Sequence, residues 1–569
     1  MSKTSSLLGL VGPTQAVDTD LVRYSEQDRE RYRRAGYWGG RSLPAELVRA
    51  ADQYRAGTAL VTSERRWSFQ ELFDAARAFA AGLPRVTSLR PGDAVMFQSG
   101  NVGETVVAYL GCLLAGLRPV CTLPQHGVRE IGVLARHVGA RGLIVQADFG
   151  RGLLPGNAQT LLDEQAVREV VVARGPVFPG AVGFAAVLAE GSGIGGPLPY
   201  ESLGCDGVAV FQLSGGTTGL PKIAPRQHEE YAYNARAWAQ ALGWRPGDVI
   251  LYPLPIMHNA GISVALQPAL LSGATLILAP SADIDTMIDL IELERPRSIP
   301  LIPPALAIRL LDSPRAATAD LSSIEDFIVG GQKLPVEIVE RLRDELGIAL
   351  RQKFGMAEGM FLVTPRGASE QVRHHTVGAP ISPGDEIRIL RPDTEDEAAD
   401  GELGELCVRG PYTIRGYYRA APHNLAAFTA DGFYRTGDLA RRHLIDGAVY
   451  YSIDGRIKDV INRGVEKIHA EEVEELLMRH PAIANAALVA MPDRVLGERA
   501  CAYLLIEPGA ESPTVASLAA FLSGLGLARY KLPERVETVR EFPLSNVGKV
   551  SKKALREDIE RKMAADERG

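Results

Sequence analysis

The chain has 569 residues, 46% hydrophobic and 23% charged, with a net charge of −7. That length exceeds one ordinary core and calls for two or more domains of globular composition, while the acidic balance gives no electrostatic case for nucleic acid or an anionic membrane as partner. The five cysteines, Cys112, Cys121, Cys205, Cys407 and Cys501, lack CxxC spacing, which argues against a zinc or redox motif and fits a reducing cytosol.

Residues 1–44 read as an N-terminal arm without a basic-then-apolar signal; its charge-dense run, 24–37, breaks at Trp38-Gly39-Gly40. Helical periodicity follows at 45–54 and 68–83, around a short strand near 59–62. A strand is expected at 93–98, a helix at 103–116 and another strand at 120–122. The apolar run 105–117 is too short to span a bilayer and reads as a buried helix. This alternation predicts α/β layers with largely parallel strands, and no internal repeat interrupts it.

The apolar run 207–213 predicts a short buried strand. After it come Ser214-Gly215-Gly216-Thr217-Thr218-Gly219-Leu220-Pro221-Lys222, and then Tyr231, Ala235, Trp238 and Leu242 on one helical face, with Gly243 as the stop. The expectation is a glycine-rich loop between strand and helix. Its glycines let backbone N–H groups converge, its hydroxyls add donors and Lys222 adds a positive charge, a combination suited to a polyphosphate. The Walker pattern fails, because Leu-Pro follows Gly219 and no Ser or Thr follows Lys222.

Further strands are expected at 248–252, 273–279, 298–302, 327–329 and 348–353, the last closed by Lys353. Polar stretches sit at several of their ends, where ligands bind in open α/β sheets. From about residue 401 the pattern turns to short strands and frequent turns, with Asp438 at the end of a turn and a hairpin near 449–453. Residues 454–459 read as a linker. Beyond lies a compact α+β unit with helices at 471–479 and 515–525, strands at 486–490, 500–506 and 535–539, and a last helix carrying Leu555, Ile559 and Met563 on one face.

Five stretches in order carry a resemblance. They are the Ser214 to Lys222 loop; Phe354-Gly355-Met356-Ala357-Glu358-Gly359; Tyr434-Arg435-Thr436-Gly437-Asp438; Gly455-Arg456-Ile457-Lys458-Asp459; and Pro543-Leu544-Ser545-Asn546-Val547-Gly548-Lys549-Val550. On these the chain resembles the adenylate-forming superfamily. Residues 409–418 and 549–556 look like its free-standing aryl acid–AMP ligases of the 2,3-dihydroxybenzoate type. The resemblance implies a large N-terminal domain of layered α/β sheets with a β-rich part (1–455), a hinge (456–459, turning at Lys458 and Asp459) and a small mobile C-terminal α+β domain (460–569).

The same resemblance implies the site. ATP would lie on Ser214, Gly215, Gly216, Thr217, Thr218, Gly219, Gly331, Gln332, Phe354, Gly355, Met356 and Ala357, with Asp438 on the ribose hydroxyls and Arg456 on the ribose or α-phosphate. Glu358, with Thr218, would hold Mg²⁺; a hard ion bound to ATP keeps its waters and needs only one or two protein oxygens. Lys549 and Lys222 would serve the chemistry. Lys549 enters during adenylation, where a positioned ammonium holds two anions together and stabilises the growing charge. The acid would be enclosed by His258, Asn259, Ala260, Val264, Gly330, Gln332, Lys353 and Phe361. His258 matches a gate beside the thiol tunnel, and Gly464 and Val465 match the tunnel. Amino-acid-activating relatives have Asp at Asn259; a neutral Asn offers no counter-ion to an ammonium but can bond an ortho hydroxyl or amino group.

Four pocket positions depart from the dihydroxybenzoate pattern. Ala260 replaces an aromatic residue, Val264 a Ser or Cys, Lys353 a small apolar residue and Phe361 a smaller one. Val465 stands where the subgroup has a second glycine. These changes bear on which acid is used. The implied reaction condenses an aryl acid with MgATP to aryl-AMP and pyrophosphate, then passes the acyl group to a phosphopantetheine thiol, in siderophore or nonribosomal peptide biosynthesis. As the chain ends soon after Lys549, the thiol is expected from a separate carrier protein or from coenzyme A. An aryl-CoA ligase using free CoA, and a non-catalytic acyl-AMP-binding scaffold, are the alternative readings.

Overall fold

The computed structural model describes residues 20–214, 222–331, 334, 336–391, 394–463, 466–493, 496–525, 527–544 and 549–566. Two large sheets dominate the N-terminal part. The seven-stranded sheet is built on the parallel strands Glu169–Arg174, Ala140–Gln146, Ala94–Gln98, Arg118–Cys121 and Val208–Ser214, and the nine-stranded one on Thr58–Val61, Thr275–Leu278, Val249–Tyr252, Ser298–Ile302, Asp326–Gly330 and Leu350–Gly355. Their strands are nearly continuous apolar runs because both faces are covered, as parallel sheets require. Period-two alternation sends Val95 and Phe97 into the core between the sheets, while Ala94 and Met96 face an outer layer. In the other sheet Ile250 and Tyr252 join that shared core and Leu251 the far side.

Helices Phe69–Val86, Gly103–Leu114 and His228–Ala241 fill the space between the sheets; Val128–Val138 and Leu154–Asp163 cover one outer face, and Ile284–Glu294, Pro304–Leu311 and Val336–Leu346 the other. Helix Phe69–Val86 starts where Ser68 and Glu71 form a reciprocal cap. A four-stranded antiparallel sheet follows, with its own apolar core. The C-terminal unit is a five-stranded sheet with helices Ala470–Leu477 and Val515–Gly524 on one face and Lys552–Asp566 on the other. Strand Gly497–Ile506 serves both faces, with Ala500, Ala502 and Leu504 on one and Cys501 and Tyr503 on the other. The layered α/β fold with a β-rich part and a C-terminal α+β unit is therefore the fold this chain adopts. No described helix is long and apolar enough to cross a membrane.

The N-terminal arm is laced to residues 411–415, just after strand Gly404–Arg409 of the β-rich part. Tyr24 Oη donates to the Thr413 carbonyl at 2.6 Å, Trp38 Nε1 to the Pro411 carbonyl at 2.8 Å, and Arg415 donates to Tyr32 Oη at 3.0 Å. Arg33 meets the buried Glu229 at 2.6 Å.

Four local expectations are corrected. The residues after the glycine-rich stretch do not enter a helix directly: Lys222–Gln227 is a strand antiparallel to Val208–Ser214, so the stretch joins two strands of a hairpin. Pro225 masks this strand in the sequence, and it is tolerated because the strand lies at the sheet edge. Lys353 does not close its strand, which runs on to Gly355 while Lys353 pairs with Gly330 on one side and Val363 on the other. Asp438 lies within the long strand Tyr434–Ile445, not at a turn, because Gly437, at φ +71°, absorbs the irregularity without ending the ladder. Of the expected linker, 454–456 belong to strand Ala448–Arg456, and only Ile457–Asp459 leave it as a single 3₁₀ turn.

Candidate functional site

The parts of the site meet where strands of the nine-stranded sheet end, beside the hairpin and the four-stranded sheet. Glu358 follows strand Leu350–Gly355 and is buried. Its Oε1 accepts hydrogen bonds from Ser214 Oγ and Tyr417 Oη, with Tyr434 Oη at 3.4 Å; the two phenols are 2.7 Å apart. Lys222 Nζ stands 5.1 Å from the Tyr417 ring centre. Burial lowers the pKa of Lys222, and the nearby Glu358 carboxylate opposes that shift.

The backbone around Glu358 is held from behind. The Ile414 N–H donates to the Glu358 carbonyl at 2.8 Å and Thr413 Oγ1 to the Gly359 carbonyl at 2.6 Å. Arg226, fully buried, donates to the Ala357 and Tyr412 carbonyls, each at 3.1 Å. Gly359 has φ +88°, and a Cβ there would lie 1.8 Å from the Tyr412 carbonyl oxygen, so no other residue fits. Glu358 is thus a fixed, buried carboxylate faced by hydroxyls. Among the described residues no cluster of three or more His, Cys, Asp or Glu forms a cage for a metal. A single carboxylate suits Mg²⁺ carried by a nucleotide, so the residues fit that ion.

On the opposite side Asp438 Oδ1 pairs with Arg456 Nε at 2.8 Å, across adjacent strands in register. The Asp438 N–H donates to Thr436 Oγ1 at 3.0 Å. Burial raises the Asp438 pKa while Arg456, Lys549 and Lys458 pull it down. Lys549 reaches here from the C-terminal unit: a Cβ on Gly331, whose φ is +101°, would lie 2.8 Å from Lys549 Cε. Burial, and then Arg456, bring the Lys549 pKa down to about 8. Glu471, also from the C-terminal unit, is pushed up to about 7 by burial. At the 3₁₀ turn Asp459 Oδ1 meets Arg556 Nη1 at 2.9 Å, and burial takes Lys458 down to about 8.

The third part is a cluster of buried side chains. Asn259 precedes a π-helical turn, Gly261–Leu266, and Ser263 Oγ donates to its carbonyl at 2.7 Å. Such turns recur at functional sites. A Cβ on Gly261 would lie 2.2 Å from the Ile256 carbonyl oxygen, so glycine is required for this path. Among the described residues, nothing donates to Asn259 Oδ1, although it is buried. His258 Nδ1 accepts from the Ala260 N–H at 3.3 Å, and burial, aided by Lys549 and Lys353, lowers its pKa to about 4, so the ring is neutral. Ala260, Val264, Phe361 and Lys353 are buried. Lys353 Nζ stands 4.7 Å from the Trp238 ring centre and 4.6 Å from that of Phe361.

The structure thus brings Ser214, Lys222, Glu358, Asp438, Arg456, Gly331 and Lys549 near one another, with His258, Asn259, Gly330, Lys353 and Phe361 beside them. Phe354 and Met356 belong to the β-rich core, packed with the buried Ala357, while Gly355 is exposed. Gly215, Gly216, Thr217, Thr218, Gly219, Gln332, Gly464 and Val465 lie outside the described residues. Sequence reasoning missed the functions of Tyr417, Tyr434, Arg226 and Trp238. The tyrosines stand inside quoted motifs, but only the tertiary fold aims their hydroxyls at Glu358.

Comparison with known proteins adds to this geometry. The profile of the AMP-binding enzymes matches residues 47–418, and that of the AMP-binding enzyme C-terminal domain matches residues 472–549. The chain is 38% identical over 547 residues to a 2,3-dihydroxybenzoate-AMP ligase of Bacillus subtilis (strain 168), covering 94% of this chain and 97% of that protein. It is 38% identical over 548 residues to a salicylyl-CoA synthase / salicylate adenylyltransferase of a Streptomyces species, covering 95% and 97%. The apo structure of Mycobacterium smegmatis MbtA aligns with a TM-score of 0.72 at 35% identity, over 95% of this chain and 98% of that one.

Proposed function

This chain belongs to the AMP-binding enzyme family, and we propose that it activates an aryl carboxylic acid with ATP, releasing pyrophosphate, and then transfers the acyl group to a thiol. The observation that carries this reading is the position of Lys549, brought from the C-terminal unit to Gly331 and into the field of Asp438 and Arg456. In the first half-reaction the acid's carboxylate oxygen attacks the α-phosphorus and the pyrophosphate oxygen leaves. Lys549 holds both anions and meets the charge that grows on the phosphoryl oxygens. Asp438 accepts from the ribose hydroxyls, and Arg456 stays on Asp438 or turns to the phosphate. Mg²⁺ on Glu358 would neutralise charge on the transferred phosphates. Asn259, uncharged and with an open acceptor, suits an aryl acid bearing an ortho hydroxyl or amino group.

In the second half-reaction the thiol sulfur attacks the acyl carbon and AMP leaves. Neutral His258 borders the acid pocket, the place for a gate to the incoming thiol. We infer a phosphopantetheinylated carrier protein as acceptor, in siderophore or nonribosomal peptide synthesis; likeness to a salicylyl-CoA synthase favours free CoA as the second reading.

The test is acid-dependent ATP–pyrophosphate exchange over substituted benzoic and heteroaromatic acids, followed by thioester formation with CoA against a holo carrier protein. Lys549→Ala is expected to lower exchange by about 100- to 1,000-fold, the usual loss for one preorganised charge contact, while thioester formation from supplied aryl-AMP persists. Equal loss in both half-reactions by a folded variant would refute the assignment of Lys549. No exchange with any acid would leave the protein a binding scaffold.

A further inference from the structure

Lys353 is 6% exposed, and its environment is unusual for a lysine. Gly330 makes room for its stem, and Gly355 makes room for the Phe361 ring beside it, where a Cβ would lie 2.3 Å from Phe361 Cδ1. A Cβ on Gly330 would lie 2.7 Å from Lys353 Cγ, and one on Gly355 would lie 3.4 Å from its Cε. The ammonium ends between two aromatic rings, Trp238 and Phe361, which meet edge to face with centroids 5.5 Å apart. Among the described residues no carboxylate pairs with it and no oxygen accepts from it. Aromatic faces return only part of the hydration that such a cation gives up.

Two further polar groups in the same neighbourhood are without partners among the described residues. Asn259 Oδ1 lacks a donor and Trp238 Nε1 lacks an acceptor, both buried. The remaining charges nearby are positive or absent: Lys549 raises the potential, and His258 is neutral. Burial together with Lys549 brings the Lys353 pKa down to about 7, so an acceptor placed against it would decide its charge. This neighbourhood therefore offers one unpartnered acceptor, Asn259 Oδ1, and two desolvated donors, Trp238 Nε1 and, on a separate strand, the Lys353 ammonium.

We propose that Lys353 is the residue that selects the acid: it donates to a hydrogen-bond acceptor on the aryl ring (a phenolate or carboxylate oxygen, or a ring nitrogen), while Asn259 Oδ1 accepts from an ortho hydroxyl or amino group. The substrate class is then an ortho-hydroxy or ortho-amino aryl acid with a second acceptor on its ring. This rests on the aryl-acid reading above and narrows it. Ala260 and Val264, both small, buried and without hydroxyls, add no further hydrogen-bonding group to this neighbourhood. An acid lacking the acceptor leaves the lysine desolvated and unpaired, and discrimination by a buried polar group left without its partner is strong.

The test measures kcat/KM in pyrophosphate exchange with the full chain for salicylate, 2,3-dihydroxybenzoate, 3-hydroxypicolinate and 3-carboxysalicylate, in the native protein and in Lys353→Met and Lys353→Gln. The native protein is expected to favour at least one acceptor-bearing acid over salicylate by about 10-fold or more. Lys353→Met should lose about 10- to 100-fold on that acid, chiefly through KM, and gain on salicylate. Lys353→Gln, which keeps a neutral donor, should retain more activity with a ring nitrogen than with a carboxylate. An unchanged ranking of acids in Lys353→Met overturns the proposal. If neither variant folds, equilibrium binding to the native protein decides: affinity for salicylate equal to or above that for every acceptor-bearing acid overturns it without a variant. Absence of exchange with every aryl acid would instead overturn the underlying reading, a result distinct from a native enzyme that prefers salicylate.

Discussion

Replacing Arg226 with Met would remove five hydrogen bonds from the interior behind Glu358. Arg226 donates to both oxygens of Glu230 at 3.0 and 2.8 Å, to Asn234 Oδ1 at 3.2 Å, and to the Ala357 and Tyr412 carbonyls at 3.1 Å. The two side chains of the ion pair are 0% and 1% exposed, so water cannot take over. Burial already raises the Glu230 pKa with Arg226 present. Breaking one half of such a pair costs about 3–5 kcal/mol, because the other charge stays buried alone. Against a total stability of roughly 5–15 kcal/mol for a domain that is a severe loss. Replacing both partners by apolar residues of similar volume is nearly neutral elsewhere. The double variant Arg226→Met, Glu230→Leu should thus be more stable than Arg226→Met alone by about 2 kcal/mol or more, a coupling that a double-mutant cycle in urea unfolding reads directly. Both variants should also need more Mg²⁺ for pyrophosphate exchange, since the carbonyls at 357 and 412 lose the group that ties them together beside Glu358. A single variant destabilised by less than about 1 kcal/mol, with native Mg²⁺ dependence, would refute this reasoning.

Three other outcomes are expected. Bound phosphates should raise the Lys549 pKa from about 8; at about pH 9 nucleotide binding should therefore take up close to one proton, and at about pH 6.5 almost none, because the lysine is already protonated there. Calorimetry in two buffers of different ionisation enthalpy measures this, and equal heats at the higher pH would refute it. Asp438→Asn should raise KM for ATP by about 10-fold with little change in KM for the acid, whereas an equal rise in both would point to general damage. Asp459→Pro should spare adenylation and block thioester formation, because proline fixes φ where a hinge must turn; Asp459→Ala, which loses only the Arg556 pair, separates the two effects, and native thiolation in the proline variant would place the hinge elsewhere.

The sequence signals that worked are local. Apolar runs and helical spacing located most of the parallel strands, though not Ala140–Gln146 or Glu169–Arg174, and the three helices packed between the sheets, and the motif around Glu358 marked a carboxylate that the structure buries at a strand end. Signals that failed needed a distant partner. Pro225 looks like a breaker until the strand is placed at a sheet edge, and Thr436-Gly437-Asp438 looks like a turn until strand Ala448–Arg456 pairs alongside. The surroundings of Lys353 were also hidden. Lys353 is buried because Trp238, from a helix packed between the sheets, places its ring 4.7 Å from the ammonium. Nothing in the spacing of residues 348–353 carries that information.

The lacing of the N-terminal arm has a consequence in time. Tyr24 and its acceptor, Thr413, are 389 residues apart in sequence. At roughly 5–20 residues per second of synthesis, the arm waits roughly 20–80 s before its partner leaves the ribosome. The segment it grips is the one that clamps the backbone of Glu358 and Gly359. During that interval the α/β layers can assemble, but the backbone at Glu358 and Gly359 lacks its clamp, and Lys549 is made later still. The site proposed for nucleotide is therefore completed only when nearly all of the chain has been made.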